Sequence, residues 1–282
     1  MRSETALPFD TAQPDFIEYL KHKRDQINHH DMDFCLVISG GERKGKSTLA
    51  AQIGDFMSYG KMTVDQICID IDEFLTSLHN SNKGDVIIFD EAGTNLYSRE
   101  SMTTMNRILT KAFMVSGLKN VCMIFNIPNF FNLDNYIRTH RVSMLIQIPK
   151  RGKFRYYSAK RAKEISLKGA KEKKIEVVRS NGVGWFTKQF PERLEKEYRL
   201  KERKFKMGYI KNIKRDIEGN YSFLKFMEVT GYSENTVMKW IKTKYLKARK
   251  IGGRWFIPKG EAERIIMEKH KNDSYVPNET FE

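Results

Sequence analysis

The chain lacks any hydrophobic segment long enough to cross a membrane. Its 282 residues contain no run approaching the roughly 18 consecutive apolar side chains that a membrane helix needs. The first ten residues, MRSETALPFD, also lack the apolar segment of a secretion signal. Together these absences predict a cytoplasmic protein with no membrane partner. An apolar content of 40% is still sufficient for a folded globular core.

Cysteine is also scarce. The chain has three, Cys35, Cys68 and Cys122, and each lies inside a short apolar run. They show neither the pairing of a disulfide framework nor the close spacing of a zinc site. We therefore expect three buried thiols in strands.

The second half of the chain is short of acidic residues. Residues 150–282 contain 35 Lys and Arg against 17 Asp and Glu, whereas residues 1–149 contain 15 against 18. All of the net charge of +15 therefore arises after Pro149. A strongly basic half is typical of proteins that bind polyanions, although a solvated lysine-rich surface would give the same count.

The first half alternates short apolar runs with longer mixed segments. The spacing of apolar residues predicts helices at 16–27, 48–59 and 102–114. Runs that are apolar on both faces are typical of a parallel sheet covered by helices on each side. Five such runs are present, at 34–38, 67–69, 86–89, 121–125 and 144–148. The sequence thus predicts an α/β domain with a mainly parallel sheet over residues 1–150.

The loop between the first of these runs and the next helix carries a phosphate-binding motif. Residues 40–47, GGERKGKS, satisfy the pattern G-x-x-x-x-G-K-[ST] in the strand-to-helix context that its mechanism requires. Backbone N–H groups of such a loop surround the β-phosphate, the lysine reaches the β- and γ-phosphates, and the hydroxyl ligates Mg²⁺. The motif predicts a site for ATP and Mg²⁺ formed by Gly40, Gly41, Glu42, Arg43, Lys44, Gly45, Lys46, Ser47 and Thr48.

A second motif follows at residues 85–91, DVIIFDE, where an apolar strand ends in two carboxylates. Ligands of open α/β sheets bind at the carboxyl ends of strands, so we expect Asp90 to hold Mg²⁺ and Glu91 to orient or deprotonate the attacking water. The alternative is an ordinary acidic turn after a strand. Asp70 and Asp72 follow another apolar run and would reach the same edge, but helix capping explains them equally well.

The order of these elements resembles the FtsK–HerA class of DNA-pumping ATPases and its viral and plasmid relatives. The two motifs are followed by a helical segment at 97–118, a strand ending in Asn126 and the segment 133–138 before a last strand. The resemblance covers about residues 30–150 and implies a RecA-like P-loop core that assembles as a homo-oligomer, with a ring as one arrangement. It also implies a catalytic set of Lys46, Asp90, Glu91 and Asn126.

The sequence departs from this family at two positions. The family's polar sensor is usually glutamine, whereas Asn126 has a shorter amide. The family places an arginine finger near the start of the sensor strand, whereas the segment 117–120 offers only a lysine, which puts activation between subunits in doubt. The candidates for a charge that stabilises the γ-phosphate are Arg107, Lys119, Arg138 and Arg141.

The basic half divides into a connector and a small C-terminal unit. We interpret residues 151–218 as a connector with one strand and a charged helix. Residues 219–270 resemble the winged helix-turn-helix units of MerR-like and phage excisionase proteins, because two short helices joined by a turn precede a basic Gly-Gly hairpin. Residues 271–282 are predicted to form a disordered tail.

In a winged helix-turn-helix the second helix enters the major groove and the hairpin contacts the backbone or minor groove of double-stranded DNA. A helical protein-interaction module is the alternative. We expect Trp240, Trp255 and Phe256 to form the small core of this unit. The candidate DNA-binding residues are Ser233, Asn235, Thr236, Lys239, Lys242, Lys244, Arg249, Lys250 and Arg254.

Two functions fit these features. In the first, ATP hydrolysis moves or remodels double-stranded DNA and the winged unit loads the motor at a site. In the second, ATP switches a site-specific DNA-binding protein between oligomeric states without translocation. A small-molecule kinase would leave the basic half without a role.

Overall fold

A computed structural model of the protein describes residues 7–11, 15–90, 99–251 and 253–273. The chain forms two compact units, Met1–Arg203 and Lys204–Glu282. Among the residues described, no helix is both long and apolar enough to cross a membrane. Glu91 and the greater part of the predicted tail, residues 274–282, lie outside the described residues.

The first unit contains an eight-stranded sheet. In chain order its strands are β1 (Phe9–Thr11), β2 (Phe34–Ser39), β3 (Ile67–Cys68), β4 (Val86–Asp90), β5 (Cys122–Ile127), β6 (Met144–Lys150), β7 (Lys153–Ser158) and β8 (Gly182–Phe186). They lie side by side in the order β1-β8-β7-β6-β2-β5-β4-β3. The five strands from β6 to β3 are parallel, as the apolar runs predicted, and β7, β8 and β1 continue the sheet in antiparallel pairing.

Helices connect these strands. They are α1 (Asp15–His29), α2 (Lys46–Met57), α3 (Ile71–Asn80), α4 (Arg99–Ser116) and α5 (Ala159–Lys168). Helix α6 (Glu192–Glu218) begins in the first unit and continues past the boundary between the two units. Short helical turns at Val64–Gln66, Phe130–Asn132 and Ile137–Arg141 complete the connections.

The parallel strands are buried on both faces. β2 and β5 are buried at every position, because side chains from each strand alternate between two large apolar clusters on opposite sides of the sheet. Cys35, Cys68 and Cys122 are buried free thiols in these strands, which confirms the expectation from the sequence. Burial raises the pKa of the Cys68 thiol to about 12, so that it stays protonated at neutral pH.

The sheet extends well beyond the first 150 residues. Strands β7 and β8 come from the segment that the sequence analysis interpreted as a connector, and residues up to Arg203 belong to the first unit. The connector was predicted to contain one strand, whereas the structure has two, β7 and β8. β8 alternates buried and exposed residues, as one-sided cover predicts.

The second unit is small. It contains β9 (Asn220–Ser222), α7 (Phe223–Thr230), α8 (Glu234–Lys242), β10 (Arg249–Ile251), β11 (Arg254–Pro258) and α9 (Lys259–Asp273). The strands form an antiparallel sheet in the order β10-β11-β9. Two helices, a turn and a hairpin were all predicted, whereas the sequence analysis did not identify β9 or α9.

The core of the second unit differs from the expected one. Trp240 packs against it as predicted, but the buried residue of β11 is Ile257. Because side chains alternate along a strand, Phe256 lies on the opposite face from Ile257, and Trp255 lies outside the cluster. The buried apolar residues of this cluster are Phe226, Val237, Leu246, Ile257, Ala262 and Ile265.

Candidate nucleotide site and DNA-binding surface

The phosphate loop lies between β2 and α2, so it follows the carboxyl end of a central parallel strand. Gly45 has a φ of 92° and a Cβ there would lie 3.0 Å from the Phe186 ring. A Cβ on Gly40 would lie 3.0 Å from the Ile148 carbonyl oxygen. Both positions therefore require glycine, one for its backbone conformation and for space, the other for space alone. The loop leads into the N-terminus of α2, the end of a helix at which backbone N–H groups favour an anion.

Lys46 folds back over this loop. Its Nζ atom donates hydrogen bonds to the carbonyl oxygens of Gly40, at 2.8 Å, and Gly41, at 3.0 Å. Glu42 and Arg43 are exposed, whereas Thr48 is buried at the base of the loop. The lysine is thus placed at the loop, where it would exchange two carbonyl contacts for phosphate oxygens.

Asp90 and Asn126 are neighbours at the same edge of the sheet. β5 lies between β2 and β4, and Asn126 is in register with Asp90 on one side and Ile38 on the other. The Asn126 Nδ2 atom donates a hydrogen bond of 3.1 Å to Asp90 Oδ1. Asp90 is 2% exposed and Asn126 is fully buried. The topology thus brings together the two side chains that the sequence analysis selected from separate strands.

Tyr198 is a residue of this site that the sequence analysis missed. It lies on α6, is 1% exposed, and its hydroxyl donates a hydrogen bond of 2.5 Å to Asp90 Oδ2. The Ser47 side chain lies near the same hydroxyl. Burial and the Asp90 carboxylate raise the pKa of Tyr198, so the phenol keeps its proton. No local motif marked this tyrosine, because its partners are more than 100 residues away.

The described residues fit a bound Mg²⁺–nucleotide. A hydroxyl from Ser47 and a carboxylate from Asp90 are the hard oxygen ligands that Mg²⁺ takes in such sites. The Asn126 Oδ1 atom is buried and has no hydrogen-bond partner among the described residues. A buried acceptor of this kind is normally paired, and a water molecule in the shell of the metal would supply the missing donor. Ser47 and Asp90 are therefore the residues that would hold the metal.

The acidic residues near the site have separate roles. Glu91 follows Asp90 directly but lies outside the described residues. Asp70 is the N-cap of α3, where its carboxylate accepts a hydrogen bond of 2.9 Å from the Glu73 backbone N–H. The capping interpretation is confirmed for Asp70, and Asp72 lies in the first turn of the same helix.

The candidates for a γ-phosphate contact are dispersed. Lys119 donates to the His79 and Ser81 carbonyl oxygens at the C-terminal end of α3, and Arg138 packs over the Phe130 and Phe131 rings. Arg141 is paired with Asp33, which precedes β2 and so lies at the opposite edge of the sheet from the phosphate loop. Arg107 is exposed on α4. Lys119, Arg138 and Arg141 thus have structural roles in these contacts.

Arg151, which is not among the four predicted candidates, lies beside the phosphate loop. Arg151 occupies the turn between β6 and β7, and its Cγ atom is 3.9 Å from the place where a Cβ on Gly45 would lie. Its side chain is exposed. The signal in the sequence was the basic turn KRGK after the last parallel strand, which the sequence analysis assigned to a connector.

The predicted DNA-binding residues lie on the second unit and are mostly exposed. Ser233 is the N-cap of α8, where it accepts a hydrogen bond from the Thr236 N–H and also contacts the Thr236 hydroxyl at 2.9 Å. The first turn of α8 therefore begins directly after Ser233. Exposed polar or basic side chains continue along α8 and the turn after it, at Asn235, Lys239, Lys242 and Lys244.

The hairpin separates its basic residues between two faces. Residues directly opposite each other in an antiparallel pair share a face, as do alternate residues of one strand. Arg249 and Arg254 therefore share the face turned away from Ile257. Lys250 is on the other face, where its Nζ lies 5.6 Å from the centre of the Trp255 ring. The structure thus distinguishes two outward arginines from a lysine that packs on an indole.

Two family models match the chain. The model "Zonular occludens toxin (Zot)" matches residues 56–182, and the model "Helix-turn-helix domain" matches residues 226–266. The Zot domain is a P-loop ATPase family found in phage, and the second model is excisionase-like. Neither the comparison with curated proteins nor that with solved structures found a match.

The two matches fall on different parts of the structure. The first includes Asp90, Asn126 and the strands from β3 to β7, and it begins after the phosphate loop. The second includes α8 and the hairpin. Neither match identifies an FtsK–HerA protein. The chain combines an α/β P-loop ATPase domain, whose central sheet is mainly parallel, with a C-terminal helix-turn-helix domain.

Proposed function

We propose that the protein is a DNA-binding ATPase that hydrolyses ATP with Mg²⁺ to move or remodel double-stranded DNA, acting as a homo-oligomer in the cytoplasm. The observation that carries the ATPase part is the meeting of the phosphate loop, Asn126 and buried Asp90 at one edge of the sheet. The helix-turn-helix match and the exposed basic hairpin support the DNA-binding part.

The side chains divide the work of hydrolysis. Lys46 and the N–H groups of the loop hold the phosphates, while Ser47 and Asp90 hold the metal. Mg²⁺ neutralises charge on the β- and γ-phosphates when it is bound. We assign to Asn126 and Glu91 the orientation of the attacking water, with Glu91 as the base. Arg151, whose Cγ atom lies 3.9 Å from the place of a Cβ on Gly45, is a further candidate for a phosphate contact from the same subunit.

Movement along DNA has a direct test. A duplex carrying a triplex-forming strand would be incubated with the full chain and ATP, and release of the third strand would be measured. A motor displaces that strand only with hydrolysable ATP, and Lys46→Ala abolishes the displacement. Slow turnover without displacement, together with site binding that depends on nucleotide, would instead identify an ATP-controlled switch.

A further inference from the structure

The proposed reaction assigns no role to Tyr198, although this tyrosine lies in the site. Its hydroxyl donates a hydrogen bond of 2.5 Å to Asp90 Oδ2 and lies near the Ser47 side chain. These are the two side chains that would hold Mg²⁺, one at the end of β4 and the other in the first turn of α2. One phenol therefore lies beside the metal-binding residues of both motifs.

Residues before and after Tyr198 make contacts that hold this part of α6 in place. Its ring stacks on Phe190 with 4.7 Å between ring centres and an angle of 9°. One turn before it, Arg193 donates a hydrogen bond of 2.6 Å to the Met62 carbonyl oxygen and pairs with Asp55 of α2. These contacts fix the start of α6 against the α2 side of the sheet.

The next turn of α6 is also held by a hydrogen bond and an ion pair. Lys201 donates a hydrogen bond of 2.8 Å to the Ile67 carbonyl oxygen at β3 and pairs with Glu73 at 3.1 Å. Because contacts on both sides of Tyr198 hold α6 in place, the Tyr198 hydroxyl has little freedom to move. It therefore orients the side chains that it contacts, as residues around metal sites usually orient the metal ligands.

The hydrogen-bonding capacity of the three groups permits this role. A phenol has one proton to donate, and Tyr198 gives it to Asp90 Oδ2, while Asn126 donates to Oδ1. The phenol oxygen keeps its lone pairs, so a nearby hydroxyl such as that of Ser47 can donate to it and keep its own lone pairs for a cation. Each carboxylate oxygen keeps a further lone pair for a donor from the metal shell.

We propose that Tyr198 is a positioning residue, which aligns Ser47 and Asp90 for Mg²⁺ and so sets the affinity of the site for the metal in the Mg²⁺–nucleotide complex. This inference rests on the proposed ATPase function. The proposed effect is on the affinity for Mg²⁺ and not on contacts with the adenine or the phosphates. Tyr198 therefore affects nucleotide binding only when Mg²⁺ is bound.

The test is a titration of Mg²⁺ against the full chain and a fluorescent ADP analogue, with the affinity for the analogue also measured in EDTA. Tyr198→Phe removes one oxygen atom and keeps the ring on Phe190. We expect the Mg²⁺ concentration at half-saturation to rise by about 10- to 100-fold, the usual cost of losing a partner of a metal ligand. The affinity in EDTA should stay unchanged.

Tyr156→Phe is the matched control. Tyr156 belongs to the same apolar cluster as Tyr198, but it lies on β7 and is not a contact of Ser47 or Asp90. This variant should leave both titrations as in the wild type. Thermal unfolding of all three proteins verifies that each is folded at the temperature of the experiment.

Two results would overturn the inference. An unchanged Mg²⁺ titration in Tyr198→Phe would mean that the hydroxyl only fastens α6 to the sheet. A lower half-saturating concentration would mean that the hydroxyl competes with the metal for Asp90. If the wild-type chain bound no nucleotide with or without Mg²⁺, the nucleotide site itself would be wrong and the inference would fail with it.

Discussion

The two units of this chain hold their functional side chains in opposite ways. In the first unit Asp90, Asn126 and Tyr198 are buried and bonded to one another. In the second unit the basic side chains of the hairpin are exposed, and Arg249 and Arg254 have no ion-pair partner among the described residues. Phosphate chemistry requires groups fixed before the substrate arrives, whereas contact with a DNA backbone requires charges that reach into solvent.

The two units also differ in the size of their apolar cores. The sheet of the first unit separates two large apolar clusters, whereas the apolar cluster of the second unit has six buried residues among those that the structure describes. Few buried residues mean that each contributes a large share of the stability. Changes inside the second unit should therefore affect DNA binding through folding, and changes on its surface should affect it through charge.

The largest effect is expected in the core of the second unit. Ile257→Ala should destabilise this unit by about 2–5 kcal/mol, because it empties a fully buried position. DNA binding should be lost while basal ATP turnover stays at the wild-type rate. Hydrogen exchange followed by mass spectrometry would locate the loss of protection within residues 220–273.

Phe256→Ala is the control for that change. Phe256 is the chain neighbour of Ile257 and lies on the other face of β11, outside the apolar cluster. It should cost much less stability. Equal losses of protection in the two variants would contradict the assignment of the two faces.

A smaller effect is expected on the hairpin surface. Arg249→Ala and Arg254→Ala should each weaken binding to duplex DNA by about tenfold, the free energy of one charged hydrogen bond. Each should also reduce the slope of log affinity against log salt by about 0.9, which corresponds to one phosphate contact. Fluorescence anisotropy at several salt concentrations measures both quantities.

The same titration with Lys250→Ala sharpens the comparison. Lys250 packs on Trp255, on the face opposite the two arginines, so its removal should change the salt slope less. A loss in Lys250→Ala that equals the loss in either arginine variant would show that the DNA does not distinguish the faces of the hairpin.

Much of the first unit could be predicted from the sequence, because its signals are local. The runs at 34–38 and 86–89 are continuous and apolar, and each is followed by a motif with fixed spacing. Burial on both faces makes such strands easy to recognise. Parallel pairing then places Asp90 beside Asn126 without any further assumption.

The rest depends on contacts between distant segments. Nothing near Tyr198 in the sequence indicates that its hydroxyl meets Asp90, 108 residues away. β8 was missed because two of its three buried positions are glycines, which have no apolar side chain, while Val183 and Trp185 are exposed. Phe256 was predicted in the core in place of Ile257, because this five-residue strand has apolar side chains on both faces and only its packing in the folded unit defines the inner one.

These findings also decide how the two units should be separated in an experiment. A chain cut after Pro149 would remove β7 and β8 from the sheet, together with Tyr198 from the site. Point variants of the full chain are therefore the better probes. They change one group and leave the sheet complete.

The most direct measurement is steady-state ATP turnover by the full chain, with and without long duplex DNA, beside Lys46→Ala and the double variant Arg249→Ala, Arg254→Ala. We predict that DNA stimulates the wild type, that Lys46→Ala lowers turnover by at least about 100-fold, and that the double variant keeps basal turnover but loses stimulation. Turnover that persists in Lys46→Ala, or that ignores DNA in the wild type, would contradict a DNA-dependent ATPase.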